Sequence, residues 1–125
     1  MKMIISNSSS VPIYEQIKKS IIEQIINDDL KEDEMIPSIR NLAQDIKISI
    51  MTIKKAYDEL ENEGYIVSIQ GKGTFVAKKN NELAKEKAQK DIEDYLNKIV
   101  NIANKFEISK EDINSALDLI YRSDK

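Results

Sequence analysis

The chain has 125 residues, 41% hydrophobic and 33% charged, with 19 basic against 22 acidic side chains for a net charge of −3. That length and composition describe one globular domain, or a small domain with an appendage, and exclude a disordered or collagen-like chain. The absence of Cys and His excludes disulfides, thiolate–imidazole catalysis, Cys/His zinc sites and histidine acid–base chemistry.

Residues 1–10 carry no periodic pattern and read as a flexible N-terminus. Their short apolar run, Met3-Ile4-Ile5, is not the core of a targeting signal. No stretch approaches the roughly 20 apolar residues of a membrane helix, so a cytoplasmic protein without a membrane partner is expected. Pro12 stands where a first-turn proline belongs. Ile13, Ile17, Ile21 and Ile25 follow at helical spacing, predicting a helix over about 12–27. An acidic loop, 28–34, ends it. Pro37 forces an extended residue before it, and Ser38 is a good N-cap for a short helix over 39–46. Ser49 caps a third helix, with Ile53, Tyr57 and Leu60 inward and Gly64 as its left-handed stop. Two short helices across a tight turn form a helix-turn-helix. The period then becomes two: runs 65–69 and 74–78 flank Gln70-Gly71-Lys72-Gly73 and predict a β-hairpin.

Residues 79–81 read as a polar hinge. Beyond it lie a long helix over 82–104 and, after a Ser109 cap, a last one over 110–121. The fold class is therefore mostly α with a small β-hairpin. A winged helix-turn-helix spans 11–79, and a two-helix dimerisation tail spans 82–121. Leu83, Ile92, Tyr95, Leu96, Ile99 and Ala103 on one tail helix, with Ile113, Leu117 and Ile120 on the other, carry more apolar surface than an isolated pair covers. Pairing with a second copy closes that core, two-fold symmetry being the commonest solution.

The segment from Pro37 to Ala77 resembles the DNA-binding domain of the GntR family, and the preceding Pro12-Ile13-Tyr14-Glu15-Gln16-Ile17 is usual there too. The resemblance rests jointly on Pro37-Ser38 with Arg40, Leu42-Ala43, Thr52, Ala56-Tyr57, Leu60, Glu63-Gly64 and Gly71-Lys72-Gly73-Thr74-Phe75-Val76. It implies a bacterial transcription regulator. The short helical tail resembles the YtrA subfamily, which implies a dimeric repressor, often of a transporter operon, on a palindromic DNA operator. Several positions depart from the family pattern: Lys47 stands in the turn that usually holds Gly, Asp33 in the acidic loop where a Gly is frequent, and Ile50, followed by Met51, where many members carry a base-reading Arg.

DNA binding requires local positive charge. Residues 38–56 carry +3 and the wing, 66–79, also +3, whereas 28–34 carries −4 and is expected on another face. The DNA-contacting set is Ser38, Arg40, Ser49, Ile50, Met51, Thr52, Lys54, Lys55, Gly71 and Lys72. Ser49 and Thr52 open the helix whose N-terminal end enters a major groove. Ile50 and Met51 offer apolar contact to a thymine methyl, and Arg40 can meet the backbone or a guanine edge. Gly71 lets the wing backbone approach, and Lys72 can enter the minor groove. Plainer readings stand beside these: capping for Ser49, an ion pair for Arg40, internal packing for Ile50 and Met51, an ordinary turn for Gly71.

Gly71-Lys72-Gly73-Thr74 is not a phosphate loop, because the glycine five residues earlier is absent and Gly73 replaces the Ser/Thr. No enzyme, metal or cofactor is expected. The alternative is a winged-helix protein-interaction module that uses Ile50 and Met51. A small-molecule effector, if there is one, would bind between subunits or between tail and winged domain, because a two-helix tail is too small to enclose a pocket.

Overall fold

The computed structural model describes residues 1–79 and 81–123. The element order is α1 (Ile13–Ile26), β1 (Met35–Ile36), α2 (Ile39–Ile46), α3 (Ile50–Asn62), β2 (Ile66–Ile69), β3 (Gly73–Val76), α4 (Glu82–Lys105) and α5 (Lys110–Ser123). They fall into two compact units, Met1–Lys87 and the chain from Ala88 onward, so the first turn of α4 belongs with the first unit. The expected hinge includes Asn80, which lies outside the described residues.

In the first unit the four-residue spacing of α1 buries Ile17 and Ile21 completely, with Ile13, Tyr14, Ile22 and Ile25 packed around them. Each fully buried Ile contributes roughly 1.5–3 kcal/mol. Pro12 is the N-cap rather than a first-turn residue; its carbonyl accepts the Glu15 and Gln16 N–H groups, each at 3.1 Å. The N-terminus is not the free segment its lack of periodicity suggested. Gln16 donates to the carbonyls of Ser6 (2.9 Å) and Val11 (2.8 Å) and accepts from the Ser6 N–H, while Gln24 donates to the Lys2 carbonyl at 2.8 Å. Met3 and Ile5, two residues apart, turn to the core. The arm is held because its backbone groups find glutamine partners while Met3 and Ile5 are half-buried against the core.

The acidic loop also differs from expectation. Leu30 anchors it in the core, and Asp28 and Asp33 adopt left-handed backbone, which Asp tolerates better than most residues. It leads into β1, a strand the sequence did not announce, which pairs antiparallel with β3 (Met35 opposite Phe75, Ile36 opposite Thr74). The sheet order is β1-β3-β2. The loop consequently lies against the base of the wing, not on a separate face. Asp33 pairs with Lys78 at 2.7 Å and Asp28 with Lys79 at 3.3 Å.

Left-handed residues stop four of the helices, Asp28 after α1 among them. Gly64 follows α3 at φ +83, with its N–H on the Glu61 carbonyl and the Tyr65 N–H on the Leu60 carbonyl. This is the Schellman pattern. Lys47 plays the part after α2 (φ +57) and Glu107 after α4 (φ +55), where the Ile48 and Ile108 N–H groups reach back to the Ala43 and Ala103 carbonyls. Lys47 thus adopts the conformation for which glycine is usual, at a cost of about 1 kcal/mol.

Gly64 also sits beneath the start of α4. A Cβ there would stand 2.5 Å from the Ala84 nitrogen and 2.7 Å from the Leu83 Cβ. Asn81 caps this turn, its Oδ1 accepting from the Leu83 and Ala84 N–H groups at 2.9 and 3.4 Å. Leu83 therefore belongs to the first unit.

In the second unit the α4–α5 turn is closed by Ser109, whose Oγ accepts the Asp112 N–H at 3.1 Å. Among the described residues from Ala88 onward only Ala103 is buried, at 5% exposure. Ile113 is half-buried, whereas Ile92, Tyr95, Leu96, Ile99, Leu117 and Ile120 are exposed. Ile102 and Phe106 continue the α4 stripe at helical spacing, and they too are exposed. No helix among the described residues is long and apolar enough to cross a membrane.

Candidate nucleic-acid interface

The core dictates which residues of the helix-turn-helix are left outward. Leu42 and Ala43 of α2, and Ile53, Ala56, Tyr57 and Leu60 of α3, are buried. Tyr57 fixes the approach to α2, donating its hydroxyl to the Pro37 carbonyl at 2.7 Å. Burial pushes the Tyr57 hydroxyl well above its ordinary range, so it stays a donor. Ser38 Oγ accepts the Asn41 N–H at 3.1 Å, and α2 starts where the cap places it.

The opening turn of α3 is built the same way. Ser49 Oγ accepts the Thr52 N–H at 3.2 Å and shares a hydrogen bond with Thr52 Oγ1 at 2.8 Å. Capping and an outward hydroxyl are therefore both present. Behind this paired polar edge, Ile50 is 48% and Met51 73% exposed. Apolar side chains so placed do not pack within the domain; they form an open surface at the helix start.

Nine of the ten candidate DNA contacts are exposed, and Thr52 is half-buried. All lie in the first unit. The cations among them differ in how free they are. Arg40 and Lys72 have no ion pair among the described residues, and neither does Lys47 in the turn, which the candidate set omitted. The missing family glycine was the signal for Lys47: a cation held at a left-handed turn beside α3. Lys54 is paired with Asp58 at 2.8 Å across one turn, an exposed bridge worth only a few tenths of a kcal/mol. Lys55 lies over the Tyr14 ring, 4.1 Å from its centroid. It is turned toward α1, so a DNA contact there competes with the ring.

The wing is less basic than its sequence. Lys78 and Lys79 are engaged by Asp33 and Asp28, and the hydrogen bond and charge of Asp33 raise the Lys78 pKa. That leaves Lys72 as the unpaired wing cation. It sits at the tip, where its N–H closes on the Ile69 carbonyl at 2.9 Å. Gly71 beside it has φ +78, and a Cβ there would meet nothing within 4 Å. Its glycine is thus demanded by backbone conformation and not by crowding within the chain. Sequence reasoning also missed Glu61, whose carboxylate accepts the Ser68 N–H at 3.0 Å and Oγ–H at 3.2 Å.

A third cluster lies behind α3. Lys18 of α1 pairs with Glu59 at 3.1 Å and with Glu63, and Lys87 reaches Glu63 at 3.5 Å. Burial lowers the Lys18 pKa, but the hydrogen bonds and charges of Glu63 and Glu59 outweigh it and leave the group raised. This cluster ties α1, α3 and the start of α4 together on the side away from Lys54 and Glu61.

Residues 13–76 match the family described as bacterial regulatory proteins, gntR family. The chain is 31% identical over 105 residues to the HTH-type transcriptional regulator YhcF of Bacillus subtilis, covering 84% of this chain and 86% of that protein. Among solved structures it is similar to a transcriptional antiterminator from Listeria monocytogenes EGD-e, with TM-score 0.75 and 33% identity over 97% of this chain and 90% of that one. It is also similar to AraR(DBD) in complex with operator ORX1, with TM-score 0.54 and 34% identity over 62% of this chain and 96% of that one. The matched region makes up between 19% and 53% of the length of three curated repressors.

Proposed function

The chain belongs to the gntR family of bacterial regulatory proteins, and on that footing we propose that it is a dimeric, sequence-specific DNA-binding regulator that represses transcription in the bacterial cytoplasm. The carrying observation is the opening turn of α3: a capped, outward-facing Ser49–Thr52 pair beside exposed Ile50 and Met51, flanked by unpaired Arg40 and Lys47. A helix N-terminus with polar edges and apolar side chains suits the major groove, where thymine methyl groups and base-edge acceptors lie side by side. In the proposed complex Ser38, Ser49 and Thr52 address phosphates or bases, Ile50 and Met51 meet thymine methyls, Arg40 reads a guanine edge, and Lys47 and Lys54 neutralise phosphates. Lys54 leaves Asp58 to do so, at little cost for an exposed pair. Gly71 and Lys72 bring the wing to the minor groove. The operator complex of AraR, a relative in fold and sequence, supports this arrangement.

The tail supplies the dimer. Ala103 is the single buried residue from Ala88 onward among the described residues, so α4 and α5 leave their stripes exposed within one chain. A second copy pairing Ile92, Tyr95, Leu96, Ile99, Leu117 and Ile120 covers them. Two-fold pairing sets two recognition helices on one duplex, with half-sites about 10 bp apart or a multiple of it. The family's repressors make repression the reading for this chain.

The test is selection of bound fragments from genomic DNA, then a salt series on the recovered duplex. A palindromic site whose affinity falls steeply with salt is expected. No retention of any fragment at low salt would overturn DNA binding and favour a protein groove as the partner of Ile50 and Met51.

A further inference from the structure

The wing hairpin is anchored in the core at its base only. Ile66 and Val76 face each other there at 2% and 1% exposure. Beyond them Val67, Ser68 and Ile69 are exposed, and so are Gln70, Gly71 and Lys72 of the tip. β1 supports the other flank, pairing with β3 only as far as Thr74. β2 is an edge strand, and its outward N–H groups meet no further strand.

One carboxylate takes that place. The Ser68 N–H donates to Glu61 Oε2 at 3.0 Å and the Ser68 Oγ–H to Oε1 at 3.2 Å, so both oxygens of one side chain clasp one residue of the distal strand. Among the described residues no other side chain hydrogen-bonds β2 or the tip. Glu61 occupies the last turn of α3, and Ile50, Lys54, Asp58 and Glu61 recur along that helix at spacings of four, four and three. They share one side of it. The clasp thereby joins the wing to the same side of the helix that presents Ile50 at its start.

We propose that Glu61 is the positioning residue of the wing: by holding Ser68 it fixes where Gly71 and Lys72 stand relative to the first turn of α3, so that both reach one duplex together. The proposal rests on the DNA-binding reading above and adds a residue that itself touches no DNA. It has an unusual sign. Removing an acid near a polyanion should, by charge alone, tighten binding. Loss of the clasp should weaken it, because an unheld tip must be ordered at each binding event and Lys72 then delivers less of its contact.

The experiment uses the full chain and the tightest duplex recovered by genomic selection, with fluorescence anisotropy over a salt series for wild type, K72A, E61A, E61Q and the E61A/K72A double variant. K72A should weaken binding several-fold and reduce the salt slope by about one per subunit. E61A should also weaken it several-fold and lose slope with it, at an unchanged thermal midpoint. E61Q keeps one carbonyl acceptor and should fall between E61A and wild type. The double variant should lose less than the product of the two single losses, since the clasp acts only through the tip and K72A has already removed part of what it positions. An E61A protein that binds as tightly as wild type or tighter overturns the proposal, and so does a double variant whose loss is the product of the two single losses. If K72A binds as wild type, Lys72 makes no contact and the proposal falls with it. If wild type binds no duplex, the DNA-binding reading itself is what has failed.

Discussion

Alanine substitution at two glycines should separate conformational strain from crowding. Gly64 and Gly71 have nearly the same backbone, φ +83 and +78. At either site an L-residue costs about 1–2 kcal/mol in the left-handed region. Alanine restricts the unfolded chain, which returns about 0.4–1 kcal/mol. Gly71→Ala should therefore destabilise by about 0–1.6 kcal/mol, because its Cβ would enter open space and add no clash. At Gly64 the new Cβ would stand 2.5 Å from the Ala84 nitrogen, 2.7 Å from the Leu83 Cβ and 3.0 Å from Asn81 Oδ1. Backbone and Cβ atoms cannot swing aside as a flexible side chain would, so the start of α4 has to shift. Overpacking of this kind adds about 1–3 kcal/mol, for a total of about 1–4.6 kcal/mol. Urea denaturation of both variants measures the difference through the transition midpoints at a common slope. Gly71→Ala should in return lose DNA affinity if the tip backbone lies close to the duplex. Equal destabilisation by the two substitutions would refute the reasoning, since it would mean that the start of α4 does not rest on Gly64.

Four further expectations follow from the same structure. Arg40→Ala should weaken operator binding by about 1–3 kcal/mol and relax preference at one base position, measured by competition with single-position operator variants; unchanged preference would reassign Arg40 to the backbone. Leu96→Asp with Ile99→Asp should convert the protein to monomers in sedimentation and cost about 10²–10⁴ in affinity for the palindrome, with the first unit still folded by circular dichroism. Lys47→Gly should raise stability by about 1 kcal/mol or less, as relief at φ +57 narrowly exceeds the added freedom of the unfolded chain, while flattening the salt slope of DNA binding. Tyr57→Phe should cost about 0.5–1.5 kcal/mol through the lost bond to Pro37. Because burial raises the Tyr57 pKa above its ordinary 10.0, wild-type stability should be full below that pH and decline above it as the unfolded chain ionises first; the Phe variant should lack this decline.

The helix-turn-helix was legible because its signals are local. Ser38 and Ser49 cap the helices that the sequence assigns to them, and Gly64 ends α3, each through bonds to residues within a few positions. What escaped depends on distant partners. β1 has two residues, too few for any periodicity, and exists because β3 lies alongside it some forty residues later in the chain. Lys78 and Lys79 looked like free wing cations until Asp33 and Asp28 met them from the preceding loop. Lys55 is engaged by Tyr14 of α1. Glu61 looked like a solvated helix residue because nothing in its own segment marks Ser68 as its partner.

The charge sequence of α3 has a consequence for how a duplex is first met. Lys54 and Lys55 lie in its first half; Asp58, Glu59 and Glu61 follow, and Glu63 caps it, with no acid in the first turn and no base in the last. This order runs against the helix macrodipole, which favours acids at the start and bases at the end, so the helix gives up a few tenths of a kcal/mol per misplaced charge. Lys18 and Lys54 mute part of the acidic end, but the Glu61 carboxylate meets neutral Ser68 groups and has no ion pair among the described residues. An approaching polyanion therefore exerts a torque, drawing the Ser49 end inward and pushing the Gly64 end away. If the chain binds DNA as proposed, encounters in the wrong orientation should be rejected before any base is touched, and the association rate, more than the dissociation rate, should carry the signature of added salt.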